Sequence, residues 1–272
     1  MSNLTVFNQT ITNPRTQDYL AQVLGEKKAS FVNNITALVS NSANLQECDP
    51  VTILYAGIKA TALDLPLDSN LGFTYVIPFK DNKAQKTVAQ FQIGYKGFIQ
   101  LAMRSGQFKT INVRDVRDGE ITGEDFVSGE LQFEMLKENR ENAPTIGYVA
   151  YFKLLNGFEK MIYWTKSELE AHGKNFSQTF KRGYGLWKDN FDAMARKTAI
   201  KLLLSKYAPL SIEMQGAITY DQSVINEKGA TYQDNQTDNS EQNEKAGQML
   251  EKAFGEIDDA EIVDVEQNEL SE

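Results

Sequence analysis

The stretch from Phe91 to Gly106 constrains the fold most strongly, because its hydrophobic period changes within one short segment. Up to Ile93, apolar residues alternate with glutamines, which predicts a strand with one buried face. From Phe98 to Ala102, apolar residues recur at helical spacing, and Gly106 stands where a helix C-cap is expected. The chain must turn between the two patterns, so we expect a strand that leads directly into a helix.

The turn itself, Gly94-Tyr95-Lys96-Gly97, holds an aromatic ring and a cation between two glycines. Because glycine has no side chain, a ligand can approach the backbone closely there, and Arg104 lies near the far end of the helix. The alternative is a plain glycine corner with Tyr95 in the core and Lys96 in solvent, and spacing alone does not separate the two. The turn lacks the GxxxxGKS/T spacing of a phosphate loop.

Charge is distributed unevenly along the 272 residues, whose net charge is −9. Residues 221–272 hold 15 acidic residues and three lysines, which leaves 25 basic and 22 acidic residues in residues 1–220. The first part therefore carries +3 and the second −12. We expect a folded domain at residues 1–220 and an acidic, largely disordered tail at residues 221–272, with a short amphipathic segment from Met249 to Ile257. Such asymmetry is typical of proteins that act on nucleic acids.

Several kinds of protein and site are not supported by the sequence. No apolar run approaches the ~20 residues that a membrane helix needs, and the N-terminus lacks the pattern of a secretion signal. Cys48 is the only cysteine, so an internal disulfide is impossible, and we expect a cytoplasmic protein. With one histidine, His172, a Cys–His zinc site cannot form, and a Ser-His-Asp triad would have to use that residue. We expect no metal site and no cofactor.

The first third of the chain is predicted to be helical and then to form a hairpin. Residues 14–45 fit one or two helices, and Asp49-Pro50 marks the start of another, with aspartate as N-cap and proline at the first helical position. Leu71–Phe79 and Thr87–Ile93 fit strands. Their connection suits either a solvated turn or a grip on DNA. It carries Lys80, Lys83 and Lys86.

The middle of the chain is predicted to be rich in strands. Arg114 and Arg117 alternate with aspartates at the end of the first strand, so they are candidates for DNA contact or for local ion pairs. An acidic loop is expected from Gly119 to Gly129, and Asn156-Gly157 is a strong hairpin signal. The predicted strands are Phe108–Val116 and an antiparallel meander of Leu131–Met135, Thr145–Leu155 and Phe158–Trp164.

A basic and aromatic segment follows the strands. Thr165 and Glu168 predict a capping box for a helix that we expect to end at Gly173. The next segment, Lys174–Gly185, interleaves cations with rings. Bases of a single strand stack on rings while phosphates meet cations, so the mixture favours single-strand binding over an ordinary anchored loop. The candidates within it are Phe180, Lys181 and Arg182.

Trp187–Tyr207 is predicted to be one long helix with hardly any polar face. Lys197 and Lys201 lie one turn apart and fall between its apolar stripes. We expect both lysines in a half-buried groove that holds an anionic ligand. The alternative is that their ammonium groups reach solvent along a packed helix.

Two separated blocks of the sequence resemble one known family. Gly94–Gly106, GYKGFIQLAMRSG, and Trp187–Pro209 are similar in order and spacing to the signatures of the RecT family of phage and prophage single-strand annealing proteins. With the segments between them, the resemblance runs from about residue 15 to about residue 220. It implies a recombinase, not an enzyme, that binds single-stranded DNA and pairs complementary strands without a nucleotide.

The resemblance also implies which residues meet DNA. The lysine-bearing hairpin is expected to reach over the DNA, and the second block is expected to line a groove, which adds Arg196 to its two lysines. The expected phosphate contacts are Lys96, Arg104, Lys181, Arg182, Lys197 and Lys201, the expected stacking rings are Tyr95 and Phe180, and the further candidates are Lys80, Lys83, Lys86, Arg114, Arg117 and Arg196.

We therefore expect an α+β fold with a small antiparallel β-sheet, a long helix packed on it, and N-terminal helices that meet neighbouring subunits. The expected partners are single-stranded DNA, the annealed duplex intermediate, and further copies of the chain in a ring or helical filament. Through the tail, a phage exonuclease or a host single-strand-binding protein is expected, and no membrane. The alternatives are a metal-dependent DNA nuclease, which scattered carboxylates leave open, and a non-catalytic coat that protects single strands.

Overall fold

Helices and antiparallel sheets alternate along the part of the chain that the structure describes. This computed structural model describes residues 3–81, 85–127, 129–226 and 229–232. The helices are α1 (Asn3–Thr12), α2 (Pro14–Leu24), α3 (Lys28–Ser40), α4 (Ala43–Gln46), α5 (Pro50–Ala62), α6 (Tyr95–Arg104), α7 (Lys166–Phe176), α8 (Gln178–Lys181), α9 (Leu186–Asp189), α10 (Phe191–Tyr207) and α11 (Ile212–Tyr220). The strands are β1 (Thr74–Asp81), β2 (Lys86–Ile93), β3 (Phe108–Arg117), β4 (Ile121–Glu124), β5 (Leu131–Phe133), β6 (Thr145–Leu154), β7 (Glu159–Thr165), β8 (Ser223–Asn226) and β9 (Gly229–Thr231).

The sheets have the strand orders β1-β2-β8-β9, β3-β6-β7 and β4-β5, with antiparallel pairing throughout. α5 packs against the first sheet, while α10 packs against α6 and against all three strands of the second sheet. The largest side chains of the shared core, among them Phe91, Phe98 and Phe152, are almost fully buried. The α+β fold with a small antiparallel sheet, a long helix and N-terminal helices is therefore confirmed.

The two helix caps and the hairpin turn predicted from short sequence patterns are present in the structure. The Asp49 side chain accepts a hydrogen bond from the Val51 N–H and caps α5. Thr165 and Glu168 form a complete capping box at the start of α7. Gly157, in the hairpin between β6 and β7, has φ 93°, a left-handed conformation that glycine adopts without steric cost.

One strand pairing differs from the expected meander. β3 pairs with β6, whereas β5 pairs with β4, which lies inside the expected acidic loop. β3 and β6 have ten residues each and pair along their length, while β5 has three residues and can form only a short ladder. An apolar side chain of β5 makes a more limited contact with the second sheet, in which the ring centroids of Phe133 and Tyr163 lie 6.1 Å apart.

Two helix boundaries also differ from the expectation. α7 runs past Gly173 to Phe176, because this glycine makes room for neighbouring rings and does not end the helix. A Cβ atom at Gly173 would lie 2.9 Å from Cδ2 of Trp187. The expected long helix is divided at Asn190, whose side chain accepts a hydrogen bond from the Ala193 N–H and caps α10.

The folded body continues past residue 220. β8 follows α11 directly and pairs with β2 through Gln90 and Phe91, so the start of the expected tail is part of the first sheet. Met1–Gln233 forms one unit, and Asp234–Glu272, which includes the expected amphipathic segment, lies outside the described residues. Within the described ranges, no helix is both long and apolar enough to cross a membrane.

A buried ion cluster ties α10 to the first sheet. Asp221, whose side chain is 0% exposed, accepts from Lys197 Nζ and from Lys201 Nζ at 2.8 Å each. The same carboxylate accepts the backbone N–H of Ile93, the last residue of β2, at 2.9 Å. Burial alone raises the pKa of Asp221, but the charges of Lys197 and Lys201 outweigh burial and hold that pKa below its ordinary value. The carboxylate therefore stays ionised inside the body.

The ion cluster predicts a large loss of stability in Asp221→Asn. The substitution leaves the buried ammonium of Lys197 without a counter-charge, and breaking a buried ion pair costs about 3–5 kcal/mol. Because the folded pKa of Asp221 is lowered, its contribution is present above the ordinary carboxyl pKa of about 4 and is lost as pH falls through the folded value. Urea unfolding at several pH values should show a gap between the two proteins that narrows in acid.

Asp64→Asn is the matched control for this measurement. Asp64 also pairs with two cations, Lys27 and Arg104, but its side chain is 70% exposed. Exposed ion pairs contribute about 0–1 kcal/mol, so this variant should unfold close to the wild-type urea midpoint. Equal midpoints for Asp221→Asn and the wild type at neutral pH would show that the buried carboxylate does not hold the fold.

Candidate nucleic-acid interface

The glycines at the start of α6 allow two segments of the chain to pack closely together. A Cβ atom at Gly94 would lie 2.2 Å from the carbonyl oxygen of Gly72, and one at Gly97 would lie 2.4 Å from that of Phe73. The space above these glycines is thus filled by the chain itself and not left for a ligand. Between them, Tyr95 is half-buried and Lys96 is exposed.

The anion expected beside Lys197 and Lys201 is present within the chain, as the carboxylate of Asp221. The Lys197 side chain is 6% exposed, so its ammonium does not reach solvent along the helix, as the alternative required. Lys201 is 24% exposed and is the more accessible of the two. Burial lowers the pKa of Lys197 below its ordinary value, although the charge of Asp221 acts in the opposite direction. Contact of either lysine with DNA stays a prediction.

A second ion network lies where α10 meets the second sheet. Asp115 on β3 contacts Arg117 Nε at 2.7 Å, Arg196 Nη2 at 3.0 Å and Arg140 Nη1 at 3.2 Å. Arg140 also contacts Glu120 at 2.6 Å. Burial would raise the pKa of Asp115, but the arginines lower it below its ordinary value. The local ion pair weighed for Arg117 is therefore present.

Sequence reasoning missed Arg140, which completes this network. It lies in a polar loop, 20 residues from Glu120 and 25 from Asp115, and no periodic pattern marks it. Arg114, on the same strand as Asp115, is exposed and approaches the sulfur of Met135 at 3.5 Å.

Arg104 closes the end of a helix. Its Nη2 donates to the carbonyl oxygen of Leu63 at 2.7 Å, and its Nη1 lies 3.4 Å from the Asp64 carboxylate. Both residues directly follow α5, where a cation is favourable because helix C-terminal carbonyls lack partners. Its guanidinium is therefore already engaged within the body.

The lysines of the first hairpin differ in their surroundings. Lys80 is exposed at the end of β1, and Lys86 contacts Asp49 at 2.8 Å while remaining half exposed. Lys83 lies outside the described residues. The predicted grip of this hairpin on DNA stays a prediction.

The basic and aromatic segment after α7 presents both kinds of side chain on the surface. Lys181 and Arg182 are exposed, and the rings of Phe176 and Tyr184 are 48% and 51% exposed. Phe180, the predicted stacking ring, is half-buried and stacks on Trp187 with centroids 5.8 Å apart. The rings that a ligand can reach are therefore those of Phe176 and Tyr184. Both belong to the predicted basic and aromatic segment, but neither was among the candidates chosen from the sequence.

His172 belongs to the packing of this segment. Its ring lies 4.6 Å from that of Phe176 and 6.4 Å from that of Trp187. Burial, and then the charge of Lys201, lowers the pKa of His172, so the ring is neutral near pH 7. Among the described residues, no group of three or more histidine, cysteine, aspartate and glutamate side chains is placed to hold a metal ion.

This chain is similar to known proteins along most of its length. A model of the RecT family matches residues 29–252. "Uncharacterized protein YqaK" from Bacillus subtilis (strain 168) is 36% identical over 267 residues, which cover 96% of this chain and 88% of that protein. "Protein RecT" from Escherichia coli (strain K12) is 32% identical over 216 residues, or 78% of each chain. The resemblance of the two sequence blocks is thereby confirmed, and the chain belongs to the RecT family.

Proposed function

We propose that this protein binds single-stranded DNA and pairs complementary strands in homologous recombination, as an oligomer and without a nucleotide or metal cofactor. Membership of the RecT family carries the proposal, because the match covers residues 29–252 and so includes most of the folded body. Strand pairing requires no bond chemistry. The protein has to offset phosphate repulsion and hold one strand with its base edges free.

The surface segment between α7 and α9 supports single-strand binding. Lys181 and Arg182 offer cations for phosphates, and Phe176 and Tyr184 offer ring faces for bases. Bases of any sequence can stack on a ring, so this surface is suited to binding that depends little on sequence. Lys197, Arg104 and Arg117 are bound to groups of the chain itself, so the exposed cations are the better candidates for phosphate contact.

The nuclease alternative is less well supported by the buried carboxylates. Asp115 and Glu120 are held by arginines, and Asp221 is held by two lysines. Carboxylates that bind divalent ions need free oxygen lone pairs facing the ion. The described acidic groups with the deepest burial are instead engaged with cations of the protein.

The N-terminal helices support assembly of several copies. Val6 on α1 and Tyr19 and Val23 on α2 are each more than 40% exposed, although they are apolar. Exposed apolar residues on neighbouring helices favour contact with another protein surface. We propose that these helices meet adjacent subunits, and that the acidic residues 234–272 recruit an exonuclease or a single-strand-binding protein.

The proposed activity is tested by mixing labelled complementary oligonucleotides with the full chain, with a chelator and without nucleotide. We expect duplex to form faster than in protein-free samples, because the basic side chains of the bound protein offset the repulsion between the two strands. Cleaved oligonucleotides in a parallel sample that contains Mg²⁺ and no chelator would favour the nuclease. Binding without faster pairing would favour a protective coat, and either result would contradict the proposal.

Lys181→Ala with Arg182→Ala should weaken single-strand binding and make it less dependent on salt. Each phosphate contact contributes about 0.7 to the slope of log affinity against log salt for single strands, so the slope should fall by about 1.4. Affinity is measured by fluorescence anisotropy at several salt concentrations. Lys27→Ala with Lys137→Ala removes the same charge from exposed positions elsewhere and should leave the slope nearly unchanged. Equal slopes in both double variants would place the phosphate contacts away from α8.

Assembly should depend on the length of the DNA. One single-strand-binding module covers about 4–16 nucleotides, whereas each base-pair step adds only about 1.4 kcal/mol, so stable pairing needs several adjacent subunits. Mass photometry should show particles that grow with oligonucleotide length and become more stable when complementary strands are added in sequence. Particles that stay monomeric or dimeric at every length would contradict the proposed oligomer.

A further inference from the structure

The hairpin formed by β4 and β5 carries two neighbouring apolar side chains at its tip. Phe126 is 100% exposed and Val127 is 93% exposed, so neither is covered by the rest of the chain. An aromatic side chain offers about 150–250 Å² of surface for burial, and its exposure to water is unfavourable. Adjacent exposed apolar side chains on a protruding turn are typical of a surface that contacts another molecule.

Hydrogen bonds hold the described part of this tip in place. The Asp125 N–H donates to the carbonyl oxygen of Glu130 at 2.9 Å, and the Gly129 N–H donates to the carbonyl oxygen of Asp125 at 2.8 Å. The Asp125 side chain accepts the N–H of Val127 at 3.0 Å, in a turn that aspartate favours. The tip is therefore ordered before any partner binds, which lowers the entropy cost of binding.

The charge of the hairpin indicates the chemistry of its partner. Residues 121–133 hold three acidic residues and no basic residue, and the acidic residues all flank the tip. Negative charge repels phosphate groups, so this surface is poorly suited to DNA. Complementary charge favours a protein surface with an apolar groove and basic residues around it.

The N-terminal helices of the same chain form a groove of this kind. The groove is lined by α1, α2, α5, α11 and β8, and its volume of about 740 Å³ lies within the ~300–1,000 Å³ range of binding sites. Tyr19 and Tyr55 stand at its side, with ring centroids 6.2 Å apart. Its floor is formed by the buried side chains of Leu20, Leu54, Ile58 and Ile225.

The charged residues of the groove are basic. Arg15 on α2 is exposed, and Nζ of Lys59 on α5 lies 3.5 Å from the ring centroid of Tyr220. Among the described residues that line the groove, none is acidic. The groove therefore matches the hairpin tip in both respects, since it offers apolar surface for the tip and positive charge for the acidic residues beside it.

We propose that the Phe126–Val127 tip of one copy inserts into this groove of the next copy, an inference that rests on the proposed assembly and names the two surfaces that meet. The contact joins two chains, because the fully exposed Phe126 does not occupy the groove of its own chain. The two surfaces differ, so the contact is heterologous. Repeating it produces a ring if the rotation closes and a helical filament if it does not.

Cysteine cross-linking of the full chain on a long oligonucleotide tests the contact. Val127→Cys is made in one preparation, and Val51→Cys, at an exposed residue that lines the groove, is made in another. Cys48 does not compete, because it is buried and burial raises the pKa of its thiol to about 12. With a mild oxidant, the mixture should form a disulfide-linked dimer that neither preparation forms alone.

Leu155→Cys is the matched control for the cross-link. Leu155 lies in the hairpin between β6 and β7 and is 68% exposed, so it is another accessible apolar residue on a turn. Mixed with Val127→Cys, it should give no covalent dimer. Equal dimer from this pair and from the groove pair would show random collision and would overturn the proposed contact.

Two further variants test the contact without a cross-link. Phe126→Ser should raise the protein concentration needed for multi-subunit particles about 10–100-fold, because burial of one phenylalanine contributes about that factor to affinity. Val51→Glu should act in the same direction, since it places a negative charge at the groove opposite the acidic hairpin. Leu155→Ser removes an exposed apolar side chain elsewhere and should leave assembly unchanged. Mass photometry on a long oligonucleotide measures all three.

Binding to a short oligonucleotide that holds one subunit separates this contact from DNA binding. Phe126→Ser and Val51→Glu should both bind it as the wild type does, because neither substitution removes a cation. Weakened assembly with normal short-oligonucleotide binding, together with the mixed cross-link, would support the contact. Loss of short-oligonucleotide binding in Phe126→Ser would place the tip against DNA and overturn it.

The remaining results distinguish the contact from the assembly on which it rests. Normal assembly of Phe126→Ser, without a cross-link between Val127→Cys and Val51→Cys, would overturn the contact and leave the proposed assembly standing. Loss of assembly in Val51→Glu alone would show that the groove receives a different part of the neighbouring copy, and would also overturn it. Wild-type particles that stay monomeric at every oligonucleotide length would overturn both.

Discussion

The body of this protein depends on one buried carboxylate. Asp221 receives two ammonium groups from α10 and the last N–H of β2, so a single side chain joins the main helix to the first sheet. Removing charges from water is costly, and this arrangement is stable only because every partner is in place. The same contact fixes Lys197, whose Nζ lies 3.5 Å from the amide oxygen of Gln92 on β2.

This dependence divides the basic residues into two groups. Lys197, Arg104, Arg117 and Arg196 contact carboxylates or carbonyl groups of the chain, and their positive charge is largely used in holding the body together. The other group, which includes Lys96, Lys181 and Arg182, is exposed. A sequence motif does not distinguish the two groups, because it shows the charge of a side chain but not the group that the side chain contacts.

Local features were predictable from the sequence and long-range ones were not. The Asp49 cap, the Thr165 capping box and the hairpin at Gly157 depend on residues within four positions of one another, and all are present. The pairing of β5 with β4 was missed because short strands carry little periodic signal. Asp221 was assigned to the acidic tail because nothing near it in sequence distinguishes it from the carboxylates that follow. Its role appears only through partners in α10 and β2.

The late position of Asp221 has a consequence for biosynthesis. The Ile93 N–H that it accepts lies 128 residues earlier, and the paired residues of β2 and β8 are 132 and 134 positions apart. At about 5–20 residues per second, a ribosome needs roughly 6–26 s to make that stretch. During this time the nascent chain has β2 with one unpaired edge, which is open to pairing with other chains. The first sheet can therefore be completed only after translation has reached β8.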